Sequence, residues 1–333
     1  MKRATLAILG LAVVLIAAGI TYEQTGRHRD RNRYPRIGRA VDIGGRTLNI
    51  YCSGEGAPSV IFEGAGHTAG YAWIDIQAEV AKFTRACWYD RAGYGWSDPD
   101  PSPRTFKSIA SDLHALLRAA AVPPPYVLIG ATAGAFHVRV YNGLYPAEVA
   151  GAVLIHADDP DVFAHEPESM KGGLASLPPV IQRVGCNVLR PLMLRVGLIR
   201  LLGSPGAGRP FGLASLTPAQ RQELIFLSNN PATTQTEGEG CVLDESMAEV
   251  RAAGNFGNRP LVVLSGSGLF RSPSPRYTKE IDALNDYWFH ELQPRLAALS
   301  TRGSLVIKED AEKPKAVIEA VRDVVDQVRT ERP

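Results

Sequence analysis

Three kinds of side chain in this sequence could act together on a bond: a hydroxyl, an imidazole and a pair of carboxylates. Thr132 follows an apolar run, Tyr126–Ile129, with Gly130 and Gly134 two residues away on either side. His156 closes a second apolar run, Ala152–Ile155, and Asp158 and Asp159 come directly after it. A hydroxyl becomes a nucleophile when an imidazole within about 3 Å takes its proton and a carboxylate orients that imidazole. On this pattern Thr132 is the candidate nucleophile, His156 the candidate base, and Asp158 and Asp159 the candidate acids. The four cysteines, Cys52, Cys87, Cys186 and Cys241, form neither a CxxC pair nor a Cys/His spacing suited to zinc, so no metal and no cofactor are expected.

Such groups need a frame that brings strand ends together. A two-strand opening, Arg39 to Ile43 and Thr47 to Cys52, is joined through Gly44-Gly45, a dipeptide suited to a tight hairpin. Short apolar runs follow at Ser59–Phe62, Ala86–Tyr89, Tyr126–Ile129, Ala152–Ile155, Leu261–Leu264 and Leu305–Ile307. They are apolar enough for the middle of a mostly parallel sheet. Amphipathic helical stretches alternate with them at Ala72–Phe83, Phe106–Ala121, Ile281–Ala298 and Ala316–Val328. The result is an α/β pattern of eight strands with flanking helices. Residues 161–258 contain no convincing strand and read as a helical cap inserted over the sheet edge where ligands bind. Within it, Val180–Leu202 is apolar and carries Arg183, Arg190, Arg195 and Arg200. Packing as core or lid is the expected role of this stretch, with a membrane surface as the alternative.

Three loops in order on these strands resemble the α/β-hydrolase fold family. The strand Tyr126–Ile129 with Gly130-Ala131-Thr132-Ala133-Gly134 resembles the nucleophile elbow of serine esterases and lipases. Glu63-Gly64-Ala65-Gly66 looks like the oxyanion loop, and Asp90-Arg91-Ala92-Gly93-Tyr94-Gly95-Trp96-Ser97 looks like the loop after the fourth strand. The resemblance covers the chain from about residue 39 onward apart from the cap, and implies an α/β-hydrolase fold. It implies backbone donors at Gly64, Ala65, Gly66 and Ala133 for a developing oxyanion, with His67 facing the same cleft. Asp90 and Arg91 are expected to brace loops, and His137, on the helix after the elbow, to serve in packing.

The family's catalytic groups are missing from this pattern. Thr132 stands where the family has serine, and Ala131 where it has histidine. The final loop, Lys308-Glu309-Asp310-Ala311-Glu312-Lys313-Pro314, holds no histidine, and Ser265-Gly266-Ser267-Gly268 holds no aspartate. Without imidazole at that place nothing accepts the hydroxyl proton near pH 7, and general-base catalysis contributes roughly 10²–10⁴-fold.

The chain has 333 residues, 45% hydrophobic and 21% charged, enough for a large core. Its net charge of +2 is unevenly spread: residues 1–40 hold eight Lys/Arg against two Asp/Glu, which leaves the remainder mildly acidic and excludes a nucleic-acid partner. Ala4 to Tyr22 is an uncharged run that, as a helix at about 1.5 Å per residue, nearly matches a hydrocarbon layer about 30 Å thick. Residues 1–22 therefore read as a membrane anchor or a signal, residues 23–38 as a basic linker, and residues 39–333 as the hydrolase-like domain. Counting positive charges around the anchor favours a cytoplasmic globular part. Two disulfides, Cys52 with Cys87 and Cys186 with Cys241, are conceivable on this fold and favour the extracytoplasmic side, with four free thiols as the alternative. The combined expectation is a membrane-tethered, catalytically impaired protein that binds a small apolar acid or ester in a capped pocket. A slow esterase using Thr132 and a structural or interaction scaffold are the alternatives.

Overall fold

A computed structural model describes residues 2–66, 68–162, 165, 167, 178–202, 216–229, 243–266, 278–311 and 313–330. The chain opens with helix α1 (Lys2–Arg33) and then enters an eight-stranded sheet. Strands β1 (Arg39–Asp42) and β2 (Thr47–Ser53) form the expected hairpin, turned by Gly44 and Gly45 at φ +112° and +93°. The Asp42 carboxylate accepts both glycine N–H groups at 2.8 Å, closing the turn. Next come β3 (Ser59–Glu63), β4 (Ala86–Tyr89), β5 (Tyr126–Ala131), β6 (Val149–Ile155), β7 (Leu261–Gly266) and β8 (Gly303–Lys308), in spatial order β1-β2-β4-β3-β5-β6-β7-β8. From β4 to β8 every pairing is parallel, while β2 runs antiparallel to β4. That register sets Cys52 opposite Cys87, and the two are joined in a disulfide. Of the second expected pair, Cys186 with Cys241, Cys241 lies outside the described residues and Cys186 is described by its backbone alone.

Two helical layers bury the two faces of the sheet, and strand alternation sorts the side chains between them. Leu128 of β5 packs on one side with Ile109, Leu113, Leu116 and Leu117 of α3 (Phe106–Ala119) and with α4 (Ala133–Leu144). Its neighbours Val127 and Ile129 point the other way, toward α2 (Ile74–Val80) and α12 (Pro314–Thr330). The stripe Val317, Val321, Val324, Val325 and Val328 of α12 is buried throughout, as its helical spacing requires.

The single helix expected over Ile281–Ala298 is divided into α10 (Thr278–Tyr287), a π turn at Trp288–Leu292 and α11 (Gln293–Ala297). In the cap, α5 (Pro179–Val184) passes through a second π turn, Gly185–Leu189, into α6 (Arg190–Arg195). Each π turn precedes a proline, Pro294 or Pro191, whose nitrogen cannot supply the α-helical hydrogen bond. The stretch expected as one helix over Ala72–Phe83 begins instead as a 3-10 turn, Gly70–Trp73. The cap continues with α7 (Leu198–Leu202), α8 (Pro218–Ser228) and α9 (Leu243–Ala252). The expected inward packing of Val180–Leu202 holds for Pro191 and Leu194, but Val180, Val184, Val188, Leu192, Leu201 and Leu202 are exposed.

Helix α1 does not end at Tyr22 but runs unbroken through the basic stretch. Glu23 pairs with Arg27 one turn on, and Arg200 of α7 reaches across to Glu23 at 2.8 Å and Asp30 at 2.7 Å. At Gly26 a side chain would collide with the Arg200 guanidinium, so the glycine admits this clamp.

Leu128 sits in the central strand that leads into Thr132. Leu128→Ala is expected to destabilise the fold by about 2–5 kcal/mol, read as a lower midpoint in chemical denaturation.

Candidate functional site

β5 delivers Thr132 to a sharp turn at φ +49°, ψ −121°, and α4 departs directly from it. Positive φ in a β-branched residue costs about 1–3 kcal/mol, so the surrounding structure must impose it. Two contacts do so. The Thr132 N–H donates to the Ile155 carbonyl at the end of β6, 2.9 Å away, and the Thr132 carbonyl accepts from Ala135 N–H at 3.0 Å. The flanking glycines are steric necessities: a Cβ on Gly130 would lie 2.5 Å from the Gly134 carbonyl oxygen, and one on Gly134 would lie 2.8 Å from that of Gly64. The Thr132 side chain is half-buried and makes no capping bond to α4.

The loop after β3 is held by its carbonyls. Trp73 Nε1 donates to the Glu63 carbonyl, Arg91 donates to those of Gly64 and Gly66, and Thr68 donates to that of Ala65. In a trans peptide the N–H points opposite to the preceding C=O, so tying down the Gly64 carbonyl turns the Ala65 N–H the other way. Among the described residues no hydrogen bond engages the N–H of Ala65 or of Ala133, the two groups an oxyanion would need. Gly66, at φ +35°, completes the turn, while His67 lies outside the described residues.

Beneath this loop is a fully buried charge cluster. The Glu63 carboxylate accepts from Arg91 Nη1 at 2.9 Å, His137 Nδ1 at 3.1 Å and the Tyr89 hydroxyl. Burial alone would raise the Glu63 pKa, but the hydrogen bond and charge of His137, the Arg91 guanidinium and the Tyr89 hydroxyl hold it below the usual carboxylate range. Arg91 is thus the expected loop brace. His137, expected to pack, instead supplies one of the three bonds to Glu63, and its Nε2 is buried with no hydrogen-bond partner among the described residues. The sequence carried one signal of this role, a glutamate ending an otherwise apolar buried strand. Asp90 is likewise buried, and its carboxylate accepts the N–H of Gly70 and Trp96 and the Asn49 amide, locking the β4 loop.

The candidate base and acids gather near the next strand ends. His156 sits at φ +45° directly after β6, and its Nδ1 faces the Gly266 N–H of β7 at 3.4 Å. A Cβ at Gly266 would lie 2.7 Å from His156 Cε1, so that glycine makes room for the ring. β6 lies between β5 and β7, and the ring therefore leans toward the strand away from Thr132; no Thr132–His156 hydrogen bond occurs among the described residues. Asp159 accepts from Arg139 of α4 at 3.4 Å and from the Asp161 N–H, a structural use of that carboxylate. Asp158 is pushed up to about 7 by burial and by the charge of Asp159. In the loop between β8 and α12 the buried residue among those described is Ala311, a methyl that cannot take a proton. Over the site, α8 is fastened by Ser228 Oγ accepting from Ala69 N–H, by the Leu227 carbonyl accepting from Gly95 N–H, and by Glu223 accepting from the Tyr71 hydroxyl. Among the described residues no cluster of three or more His, Cys, Asp or Glu could hold a metal ion.

Residues 58–184 match the family described as the alpha/beta hydrolase fold. An uncharacterized vacuolar membrane protein of Saccharomyces cerevisiae is 35% identical over 89 residues, 26% of this chain and 14% of that protein. The uncharacterized protein YbdG of Bacillus subtilis is 24% identical over 128 residues, 38% of this chain and 39% of that protein. The chain thus spans about a seventh of the yeast relative and about two fifths of the bacterial one. Among solved structures, the Cif epoxide hydrolase from Acinetobacter nosocomialis superposes with a TM-score of 0.67 at 13% identity, covering 92% of this chain and 96% of that one. A Vigna radiata epoxide hydrolase mutant superposes with a TM-score of 0.62 at 16% identity, covering 88% and 96%. At these identities the likeness is one of fold.

Because the folded pKa of Glu63 lies below its unfolded value of about 4.3, its stabilisation is present above that value and disappears as pH falls through the folded pKa. Glu63→Gln leaves Arg91 buried without its counter-charge, so a loss of about 3–5 kcal/mol is expected, together with a flatter acid limb in stability measured against pH. Asp158 has the opposite sign: its stabilisation is complete below about 4 and is lost as pH rises through about 7. Asp158→Asn should therefore raise the thermal midpoint at pH 8 and leave it nearly unchanged at pH 4.

Proposed function

We propose that this chain, which has the α/β-hydrolase fold, is a membrane-held protein that binds a small apolar acid or ester beneath its cap and is impaired in hydrolysing it. One observation carries the reading: the oxyanion-type frame is kept while the proton-transfer groups are not. The N–H groups of Ala65 and Ala133 are directed by carbonyls committed elsewhere, and they suit a carboxylate or ester oxygen. Beside them the nucleophile position carries the crowded secondary hydroxyl of Thr132, and the loop before α12 has no histidine. A hydroxyl without a base near pH 7 remains protonated and attacks slowly.

Membrane attachment rests on α1, which is long and apolar enough to cross a bilayer. The yeast relative is named as a vacuolar membrane protein, in keeping with that attachment. Placement of the globular part on the extracytoplasmic side rests on the Cys52–Cys87 disulfide, which persists in an oxidising compartment.

A second reading, slow ester hydrolysis through Thr132, is favoured by the intact turn at φ +49° and the open donors, since about 10³–10⁴-fold catalysis over water survives loss of a triad. In it His156 or Asp158, each within the same group of strand ends, takes the proton.

Hydrolysis of short and medium aryl esters by the full chain in detergent, beside Thr132→Ala and Thr132→Ser, separates the readings. All three proteins are expected at the buffer rate, while octanoate raises the thermal midpoint by an amount that grows with the logarithm of its concentration once the site fills. Wild-type hydrolysis above buffer that Thr132→Ala abolishes establishes the second reading instead, and His156→Ala and Asp158→Asn then identify the base.

A further inference from the structure

The cap carries an apolar surface that the globular part does not cover. Val180, Val184, Val188 and Leu192 recur every fourth residue along α5, its π turn and α6, and all four are exposed. Leu201 and Leu202 of α7 are exposed as well, 68% and 71%. Contiguous apolar surface of this kind marks an interaction site.

The contact between α7 and α1 fixes what covers it. Gly19 of α1 packs so closely on the cap that a Cβ there would lie 2.4 Å from the Val196 carbonyl oxygen. One at Gly197 would lie 3.0 Å from the Gly19 carbonyl oxygen and 3.0 Å from the Tyr22 ring. Further along, Leu15, Ile16 and Gly19 of α1 line one apolar cavity with Leu198 and Leu201 of α7. The apolar run of α1 ends at Tyr22, and Leu15 is seven residues earlier, about 10 Å further into the hydrocarbon at about 1.5 Å per residue. A bilayer that receives α1 to Tyr22 must therefore receive α7 as well. The one charged side chain of α7 agrees with this depth: Arg200 reaches back past the end of the apolar run to Glu23 and Asp30.

We propose, resting on the reading of α1 as a membrane anchor, that α5 to α7 of the cap lie embedded in the leaflet from which α1 emerges, their exposed apolar stripe covered by lipid acyl chains. The cap is then an interfacial element locked to the spanning helix. A second copy of this chain is the competing occupant. The lateral contact with α1 argues for lipid, because the apolar surface of α7 joins the apolar run of α1 at the same depth.

The test is fluorescence quenching by lipids brominated near the middle of the acyl chain, with the full chain reconstituted in phosphatidylcholine vesicles and the wild-type signal subtracted. Tryptophan is added singly by L11W in α1, L202W and L192W in the cap, and K82W on the far exposed surface. The three leucines are exposed, so the larger ring needs no repacking. Quenching of L11W and of both cap variants, at least twice that of K82W, is expected. Quenching of L11W with cap variants no different from K82W overturns the embedded cap and leaves the anchor standing. Loss of quenching at L11W removes the anchor and the inference together. Cap variants protected from brominated lipid at high protein-to-lipid ratio but quenched at low ratio show a second copy displacing lipid, and overturn lipid as the resident occupant.

Discussion

An ionised carboxylate can stay in a protein interior only if the groups around it replace the water it has lost, and Glu63 has to be so satisfied for this fold to close. Arg91, His137 and Tyr89 do this from three different places: the loop after β4, the first turns of α4, and β4 itself. The same guanidinium that satisfies Glu63 also binds the carbonyls of Gly64 and Gly66. One buried ion pair therefore couples the end of β3, the loop that follows it and the helix that leaves the elbow. Truncating Glu63 or Arg91 would leave the other's charge stranded in the interior.

The strained turn at Thr132 depends on that coupling. A β-branched residue does not choose φ +49°; it is held there by a strand on one side and a helix on the other, with glycines where backbones approach closely. The sharp turn thus persists with a β-branched residue poorly suited to positive φ. The frame and the chemistry are separable because the frame depends on backbone packing while the chemistry depends on two or three side chains.

Several polar groups at the strand ends make structural contacts. Asp159 pairs with Arg139, Asp90 organises the β4 loop, and the His156 ring rests over Gly266. Arg200 joins the cap to α1 with two carboxylates, so the cap is tied both to the sheet through α8 and to the N-terminal helix through α7.

Strand periodicity, the paired glycines of the hairpin and elbow, and the stripe of α12 were legible from the residues alone, because each expresses a local rule about which face is buried or which φ a residue tolerates. The absence of histidine before α12 was legible only against the family resemblance, which says where one would stand, and the possible Cys52–Cys87 pair once neighbouring strands were assigned. The partners of Glu63, the lean of His156 toward β7 and the exposure of Val180–Leu192 were decided by tertiary structure. Glu63 and His137 are far apart in the chain and meet only when β3 and α4 pack. The ring of His156 could turn toward either neighbouring strand, and only the space at Gly266 settles which. An apolar helix buries its stripe or exposes it according to what lies beside it, and here α1 lies beside the cap, a placement that no residue pattern within the cap encodes.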